Sequence, residues 1–512
     1  MNHFYRQIIF VICFSFVMQL LVSCGGGSPT PDNINTNASV SNVASFAATA
    51  GDTSVSLSWQ NPALNFSGVM LRRGVTCPAT PTAGTFVIDT MGSLTVDADL
   101  TNGTTYCYTA FAHDSNSHYS SGVTAHAMPV ASAAPVASYV AVSAGGIHSL
   151  AIKSDGTLWT WGFNDQGELG DGCTFGQNCN NRYSPTKVGA DNSWTAVSGG
   201  TVHSAAIKQN GTLWSWGENS SGQIGTGCSG STCWYISTPT QITTDTNWAS
   251  TSAGGFFTAA IKTDGTLWAW GSNYSGQLGD GCSPMSTCVA SSIPKKIGTD
   301  TDWASVAAGA NHVIALKSNG TLWAWGMNFD GQLGNAAQSP TAYSSVPVQI
   351  GTDTDWKSIA TGDMHSLAIK TNGTLWAWGD NDWGQLGITC TSSCISVSAP
   401  IQVGTDVNWK EVDGGANLTI AVKTDGTVWT WGSFSTSTGT SSSLPVMVGT
   451  GTSWSKVSAG GGGGNSGIGG GHFMALESMS PGGYKLMDWG TNVEGQLGVG
   501  TAYPVWNPTR VY

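Results

Sequence analysis

The stretch GTLWAWG occupies residues 265–271, and the same seven letters return at 320–326 and at 373–379. The shorter pattern LWxWG, with the variants VWTWG at 428–432 and LMDWG at 486–490, recurs along most of the chain. The second tryptophan of the copies is Trp161, Trp216, Trp270, Trp325, Trp378, Trp431 and Trp489. Successive copies are 55, 54, 55, 53, 53 and 58 residues apart. A repeat length near fifty residues predicts a propeller or a solenoid.

Each repeat contains the same succession of parts, which the fourth repeat illustrates. An opening strand begins at Trp303, an alternating strand HVIALK follows at 312–317, and a tight SNG turn leads into TLWAWG at 321–326. A motif NxxGQLG, a variable loop and a strand with P-x-x-V or P-x-x-I complete the unit. Four strands per unit and seven units predict an all-β fold, a seven-bladed β-propeller over residues 138–512.

The paired tryptophans are interpreted as packing residues. Two residues separated by one point to the same face of a strand, so each pair is expected to fill the gap between neighbouring blades. The LWxWG positions hold 13 tryptophans and the opening-strand positions hold 6, so 19 of the 23 are in register. A residue present in every blade is typical of structure rather than of chemistry.

The two ends of the repeat region suggest how the ring closes. The chain finishes with NPTRVY at 507–512, the element that elsewhere precedes an opening strand. The region begins with ASYVAVSAGG at 137–146, the element that elsewhere follows it. The sequence therefore predicts that the last strand pairs into the blade that the first strand starts, which would leave no exposed sheet edge at the joint.

The repeats resemble the regulator of chromosome condensation repeat family, most clearly in AGGIHSLAIKSDGTLWTWGFNDQGELG at 144–170. The resemblance covers about residues 138–512 and implies a seven-bladed propeller. The sixth repeat departs from the pattern because it has no GQLG, and the seventh has a glycine-rich insertion at 460–471. The family name implies guanine nucleotide exchange on a small GTPase and chromatin binding. No residues for those activities can be mapped onto this chain.

A separate small domain is predicted at residues 38–129, where the repeat is absent. The segments VSLSWQNP at 55–62 and LTNGTTYCYTAFAHD at 100–114 resemble a fibronectin type III β-sandwich. The resemblance makes Trp59 a core tryptophan and Tyr106 the residue of a tyrosine corner. It implies a spacer or an adhesive module. Residues 130–137 are expected to be a linker.

The first residues are typical of an export signal. Arg6 precedes an apolar segment at 8–23 that is too short for a confident membrane span. LVSC at 21–24 resembles the bacterial lipobox, which implies a signal peptide at 1–23 and lipidation of Cys24. A plain signal peptide is the alternative. Residues 24–37 are interpreted as a flexible tether, and the protein is expected outside the cytoplasm, anchored by lipid at the outer membrane or cell surface.

Cysteine spacing fits an oxidising compartment. The chain has 12 cysteines, and ten remain after Cys13 and Cys24. Five disulfides are predicted, with zinc binding by the close pairs as the alternative. The candidate pairs are Cys77/Cys107, Cys173/Cys179, Cys228/Cys233, Cys282/Cys288 and Cys390/Cys394.

Charge and motifs argue against two classes of function. The formal net charge is -12 and the 18 lysines and arginines are scattered, so a nucleic-acid partner is not expected. No nucleophile, phosphate-binding or metalloprotease motif is present, so neither catalysis nor a cofactor or metal is predicted. Histidine recurs at one repeat position and is interpreted as structural, bonded within its own blade (His148, His203, His312, His365 and His472). The lysines that end each second strand are interpreted as a solvated ring (Lys153, Lys208, Lys262, Lys317, Lys370 and Lys423).

The strand order divides the loops between two faces of the propeller. The second and fourth connections should form an even, acidic face, with Asp191, Asp245, Asp300, Asp302, Asp353, Asp355 and Asp406. The first and third connections carry the variable loops and five aromatic residues outside the repeat register. These binding candidates are Trp234, Tyr235, Tyr274, Phe329 and Trp383. The alternative is that each ring covers its own loop.

Three functions follow as hypotheses. The first is a lipid-anchored binding protein whose variable loop face contacts a protein or a glycan. The second is a guanine nucleotide exchange factor, which only the family resemblance favours. The third is a purely structural envelope protein, which would have no saturable partner.

Overall fold

A computed structural model describes residues 40–130, 138–173, 179–228, 233–283, 288–336, 343–389, 395–433, 441–461, 471–479 and 483–512. These residues form 35 β-strands, and none of them lies in a helix. The predicted all-β fold, a β-propeller preceded by a small β-sandwich, is confirmed.

The N-terminal sandwich has two sheets, with the strand orders β1-β2-β5 and β4-β3-β6-β7. Its strands are β1 (Ala44–Ala50), β2 (Val55–Gln60), β3 (Gly68–Gly74), β4 (Thr85–Thr90), β5 (Leu94–Asp97), β6 (Tyr106–His113) and β7 (Val123–Ala127). Trp59 and Tyr108 are buried in the core between the sheets. The hydroxyl of Tyr106 accepts a hydrogen bond from the backbone N–H of Thr101 at 3.1 Å, which ties the start of β6 to the preceding loop.

Seven four-stranded antiparallel sheets follow, and each uses four consecutive strands. Blades 1 to 4 are β8 (Tyr139–Ala144), β9 (His148–Lys153), β10 (Leu158–Gly162) and β11 (Arg182–Lys187); β12 (Trp194–Gly199), β13 (His203–Lys208), β14 (Leu213–Glu218) and β15 (Tyr235–Gln241); β16 (Trp248–Ala253), β17 (Phe257–Lys262), β18 (Leu267–Gly271) and β19 (Ser291–Lys296); β20 (Trp303–Ala308), β21 (His312–Lys317), β22 (Leu322–Met327) and β23 (Tyr343–Gln349).

Blades 5 to 7 are β24 (Trp356–Thr361), β25 (His365–Lys370), β26 (Leu375–Asp380) and β27 (Ser396–Gln402); β28 (Trp409–Gly414), β29 (Leu418–Lys423), β30 (Val428–Gly432) and β31 (Ser442–Met447); β32 (Trp454–Gly460), β33 (His472–Ser478), β34 (Tyr484–Gly490) and β35 (Val505–Arg510). The first strands of neighbouring blades touch all the way round the ring, so they are the innermost strands. They line a central channel of about 500 Å³.

The predicted mode of closure is wrong. The last strand, β35, pairs with β34 inside blade 7, and β8 belongs to blade 1 with β9, β10 and β11. The P-x-x-V strand of each repeat pairs with the LWxWG strand before it, so every blade is one contiguous segment. The ring closes by the packing of blade 7 against blade 1. The indole Nε1 of Trp161 donates to the carbonyl of Gln496 at 2.9 Å across this joint.

The fourth strand of each blade is an open sheet edge that carries a proline. The seven prolines are Pro185, Pro239, Pro294, Pro347, Pro400, Pro445 and Pro508. Proline has no N–H to donate, so these edges are protected against pairing with another chain.

Candidate functional site

The two tryptophans of each LWxWG pair have different partners. In blade 2 the indole N–H of Trp214 donates to the hydroxyl of Thr212 in the preceding turn, at 2.9 Å. The indole N–H of Trp216 donates instead to the backbone carbonyl of Glu168 in blade 1, at 2.8 Å. Both rings meet Trp194 of the opening strand edge to face. One tryptophan therefore fixes the turn of its own blade and the other locks that blade to its neighbour.

The repeated histidine bonds to the next blade, so the prediction of a bond within its own blade is wrong. Nε2 of His148 lies 2.9 Å from the hydroxyl of Ser204 in blade 2. Ser204 gives its own proton to the carbonyl of Glu168, so His148 must be the donor at Nε2. Four further bridges repeat this arrangement: His203 to Thr258, His312 to Ser366, His365 to Thr419 and His472 to Ser149.

Burial keeps these histidines neutral. Burial lowers the pKa of His148 and His312 to about 4, and the pKa of His203 to about 3. The structural interpretation of this position is therefore supported, and a role in acid–base chemistry near neutral pH is not.

Two interfaces replace the polar bridge by an apolar pair. Phe257 stands at the histidine position of blade 3 and packs in one cluster with Val313, which stands at the hydroxyl position of blade 4. Leu418 of blade 6 packs in the same way with Phe473 of blade 7. The two positions change together because a hydroxyl without the histidine, or a histidine without the hydroxyl, would leave a buried polar group poorly satisfied.

The lysine that ends the second strand of blades 1 to 6 is buried or half-buried against aromatic rings, so the predicted solvated ring is wrong. Strand register places Lys208 opposite Trp194. Its ammonium lies 4.6 Å from the Trp194 ring centre and 3.6 Å from that of Trp214. The same arrangement holds Lys262, Lys317, Lys370 and Lys423 over pairs of tryptophans, and Lys153 over Tyr139 and Trp159.

Carboxylates of the fourth connections form ion pairs with five of these lysines, Lys208, Lys262, Lys317, Lys370 and Lys423. Lys262 Nζ lies 2.7 Å from Asp245, and this hydrogen bond lowers the pKa of the Asp245 carboxyl. All seven aspartates of the predicted acidic face are paired in this way, Asp191 with Lys208, Asp300 and Asp302 with Lys317, Asp353 and Asp355 with Lys370, and Asp406 with Lys423. The face is consequently less acidic than its sequence suggested.

The third connections of three consecutive blades each carry an exposed aromatic side chain, and the exposed Phe256 and Tyr503 also lie on this face. Tyr274 in blade 3 is 72% exposed, Phe329 in blade 4 is 59% exposed and Trp383 in blade 5 is 56% exposed. All three lie in the NxxGQLG loop that follows the third strand. By contrast, the second tryptophan of each LWxWG pair in the same blades, which we call the inner tryptophan, is fully buried. We call these three residues the aromatic arc.

The other two predicted aromatic residues form a separate pair. Trp234 and Tyr235 are half-buried on blade 2 and contact each other edge to face at 5.1 Å. Phe329 also has a neighbour, because it meets Tyr343 of its own blade at 5.0 Å. The structure thus groups Tyr274, Phe329 and Trp383 by face and by adjacent blades.

Three carboxylates that the sequence had not singled out lie within the arc. Asp330 follows Phe329, and Asp380 and Asp382 lie just before Trp383. Burial and the neighbouring charges of Asp380 and Asp382 raise the pKa of Asp330. Burial raises the pKa of Asp380 as well. Within the described ranges, none of the three pairs with a lysine or arginine.

The mouth of the central channel on this face adds one more carboxyl. Asp363 occupies the first connection of blade 5, where most other blades have glycine, alanine or threonine. Burial raises its pKa to about 7. Deeper in the channel, Asp413 accepts hydrogen bonds from the Ser458 hydroxyl and from the Ala459 backbone. Asp413 therefore serves the contact between blades 6 and 7.

Four disulfides join cysteines of the candidate pairs: Cys77–Cys107, Cys173–Cys179, Cys228–Cys233 and Cys282–Cys288. His126 lies 3.3 Å from Cys77, which makes a cluster of three groups of the metal-ligating type. With the two sulfurs joined, no thiolates are left there for a zinc ion. Cys24, Cys390, Cys394 and most of the insertion at 460–471 lie outside the described residues.

Comparison with known proteins decides the family. A sequence profile described as the RCC1-like domain matches residues 237–512, more than half of the chain. Profiles of the regulator of chromosome condensation (RCC1) repeat match residues 155–207 and 210–261, and also 139–168 and 194–223. The chain belongs to the RCC1-like domain family.

Individual relatives of this RCC1-like protein cover the repeats only in part. The mitochondrial RCC1 domain-containing protein RUG3 of Arabidopsis thaliana is 33% identical over 48% of this chain and 55% of its own length. The ultraviolet-B receptor UVR8 of the same plant is 28% identical over 58% of this chain and 66% of its own length. The matched region thus spans less than two thirds of either relative.

A solved structure supports the RCC1-like fold. Prp20p of Saccharomyces cerevisiae superposes with a TM-score of 0.58 at 20% identity, over 73% of this chain and 87% of its own. Prp20p itself has binding properties toward Gsp1p and histones. Relatives of the chain thus include a receptor, UVR8, and a propeller that binds proteins, Prp20p. In the ranges that the structure describes, no helix has the length and apolar character needed to cross a bilayer.

Proposed function

We propose that this RCC1-like protein is a lipid-anchored, extracytoplasmic binding protein whose aromatic arc contacts a protein or glycan partner. The observation that carries the proposal is the exposure of the arc. The recurring inner tryptophans are buried, whereas Tyr274, Phe329 and Trp383 are more than half exposed on adjacent blades. Exposed aromatic rings on the loops of a rigid scaffold are frequent binding determinants.

The location outside the cytoplasm is supported by the sequence and by the disulfides. An apolar segment at 8–23 ends in LVSC, and Cys24 would carry the lipid. The four disulfides suit an oxidising compartment. Replacement of Cys24 by serine should release the protein from the membrane fraction. Retention of the Cys24→Ser protein in that fraction would contradict a lipid anchor.

The binding role is tested by affinity capture from envelope and secreted extracts with the full-length protein as bait. The arc variant combines Tyr274→Ser with Trp383→Ser, because blade 2 has Ser220 and Ser221 at the equivalent loop positions. The control is Val407→Ser, which removes an exposed apolar side chain from the opposite face. A partner that is lost with the arc variant and kept with the control supports the proposal.

Two other outcomes favour the alternatives. If neither the parent nor the control captures a saturable partner, a purely structural envelope role is favoured. A guanine nucleotide exchange factor is the second candidate, supported by the fold likeness to Prp20p. Release of bound guanine nucleotide from a small GTPase, catalysed by the full-length protein, would favour that role.

A further inference from the structure

The propeller repeats one arrangement in several blades, in which a lysine ammonium lies between aromatic rings and aspartate carboxylates. On the face of the second and fourth connections, Lys317 lies 5.0 Å from the Trp303 ring centre and 4.8 Å from that of Trp323. Asp300 and Asp302 take up its charge at 2.5 Å and 3.1 Å. An aromatic face and a carboxylate together stabilise an ammonium or guanidinium group by cation–π attraction and by a charge-assisted hydrogen bond.

The opposite face holds the same chemical groups without the cation. Asp330, Asp380 and Asp382 lie beside Phe329 and Trp383 on blades 4 and 5. Asp330 and Asp380 are half-buried, and Asp382 is exposed. In the described part of the chain these three carboxylates have no lysine or arginine partner. Like charges held close together and partly desolvated cost free energy, which a bound cation would relieve.

We propose that the aromatic arc and the three carboxylates Asp330, Asp380 and Asp382 bind a lysine- or arginine-rich segment of a partner protein. This inference rests on the proposed binding function and names the chemistry of its partner. The net charge of the whole chain, -12, acts in the same direction because it attracts a basic partner from a distance.

A neutral glycan fits these groups less well. Its hydroxyls can bond to carboxylates and its rings can stack on Trp383, but it brings no positive charge. The burial of Asp330 and its repulsion by Asp380 and Asp382, which together raise the pKa of its carboxyl, would persist under it. Asp330 follows Phe329 and Asp382 precedes Trp383 in the chain, so a basic side chain on either ring has a carboxylate on the adjacent residue.

The test measures binding of fluorescein-labelled peptides to the full-length protein by fluorescence anisotropy. The probes are peptides of alternating lysine and glycine and of alternating arginine and glycine, with a glutamate–glycine peptide as the negative control. The arc-charge variant is Asp330→Asn/Asp380→Asn/Asp382→Asn. Measurements at low and at physiological salt report the electrostatic share of the affinity.

A matched charge control is available on the opposite face. The variant Asp155→Asn/Asp264→Asn/Asp425→Asn removes the same three charges from the tight turns. Asparagine is tolerated there, because the equivalent turn positions of other blades are Asn210, Asn319 and Asn372. The arc-charge variant should weaken binding of the basic peptides by about tenfold or more, and the control by less than about twofold.

Three results of these binding measurements would overturn the inference. The first is that neither basic peptide binds saturably. The second is that both triple variants lose affinity equally. The third is that a neutral polysaccharide binds in a way that depends on Tyr274 and Trp383 but not on the carboxylates. An arc-dependent partner without a basic segment would also overturn it while leaving the proposed binding function intact. If envelope extracts contain no arc-dependent partner at all, the proposed function itself fails.

Discussion

The bridge between blades 4 and 5 should make stability depend on pH in a way that one designed exchange removes. The variant His312→Phe/Ser366→Val converts this polar pair into the apolar pair that Phe257 and Val313 form between blades 3 and 4. The site can accept the ring, because Gly309 faces His312 as Gly254 faces Phe257. The exchange therefore copies packing that the protein already uses.

The magnitude follows from the two pKa values of the histidine. Burial lowers the pKa of His312 to about 4 in the folded protein, and an unfolded chain titrates near pH 6.5. Below about pH 6.5 His312 is protonated in the unfolded state, whereas in the folded state it stays neutral down to about pH 4. Stability is therefore lost as the pH falls through this window. The loss through this one residue is about 3 kcal/mol in total.

The assay is urea unfolding followed by tryptophan fluorescence, at several pH values between neutral and mildly acidic. Buried groups that do not interact with His312 contribute equally to parent and variant, so their effects cancel in the difference. His365 is an exception, because burial and then the charge of His312 lower its pKa to about 3. The parent should lose about 3 kcal/mol more than the double variant between about pH 7 and about pH 4. Parallel stability curves for the two proteins would refute a neutral, buried His312.

The single variants separate the hydrogen bond from the titration. Ser366→Val leaves the Nε2–H of His312 without its acceptor and should cost about 1–3 kcal/mol at neutral pH. His312→Phe loses one hydrogen bond and should cost about 1 kcal/mol. The double variant should be more stable than the sum of the two changes predicts. Additive single effects would contradict the direct contact.

Three further changes test the packing of the blades. Trp325→Phe should destabilise the protein by about 1–2 kcal/mol more than Trp378→Phe. The carbonyl that accepts from Trp378 also accepts from the Ser366 hydroxyl, whereas Val313 offers no second donor to the carbonyl that accepts from Trp325. Equal urea midpoints for the two variants would contradict this. Gly309→Ala places a Cβ 2.3 Å from Cε1 of His312 and should lower the thermal midpoint, so an unchanged midpoint would argue against the close approach. Lys370→Met should cost about 1–2 kcal/mol at low salt, measured by the same unfolding, and a neutral effect would mean that the buried cation contributes nothing.

The architecture was largely predictable because its determinants are local. The repeat length, the alternating strands and the turn residues all lie within one unit of the pattern, so seven sheets of four strands could be counted. The closure was not predictable from the same pattern. A P-x-x-V strand has plausible neighbours on both sides, and only long-range pairing decides that β35 joins β34.

The errors in the polar rings have a related cause. Alternation shows that Lys208 ends a strand, but its burial depends on the register that sets it opposite Trp194. The partner of a repeated histidine lies one whole blade away, beyond the reach of local pattern. A usable signal was nevertheless present, since Phe257 and Val313 depart from the pattern together, as do Leu418 and Phe473.

The candidate site was found in part for a simple reason. Tyr274, Phe329 and Trp383 interrupt a strict repeat, so they stand out when the copies are aligned. Their neighbours Asp330, Asp380 and Asp382 are ordinary loop residues in the sequence. Their importance depends on the distance between adjacent blades and on the absence of a nearby cation among the described residues, which only the folded arrangement reveals.

The building of each blade from one uninterrupted segment has a consequence for how such a chain can change. Duplication, deletion or circular permutation at a blade boundary leaves every ladder of strand hydrogen bonds whole, because each described propeller sheet consists of four consecutive strands. Only the two newly adjoining faces must agree. The histidine–hydroxyl pairs and the apolar pairs then determine which blades can lie next to each other in the ring. A blade with a histidine at this position, such as His203, can be followed by a blade with a serine or threonine at the facing position. A following blade with an apolar residue there, such as Val313, would leave the histidine without its hydrogen-bond partner.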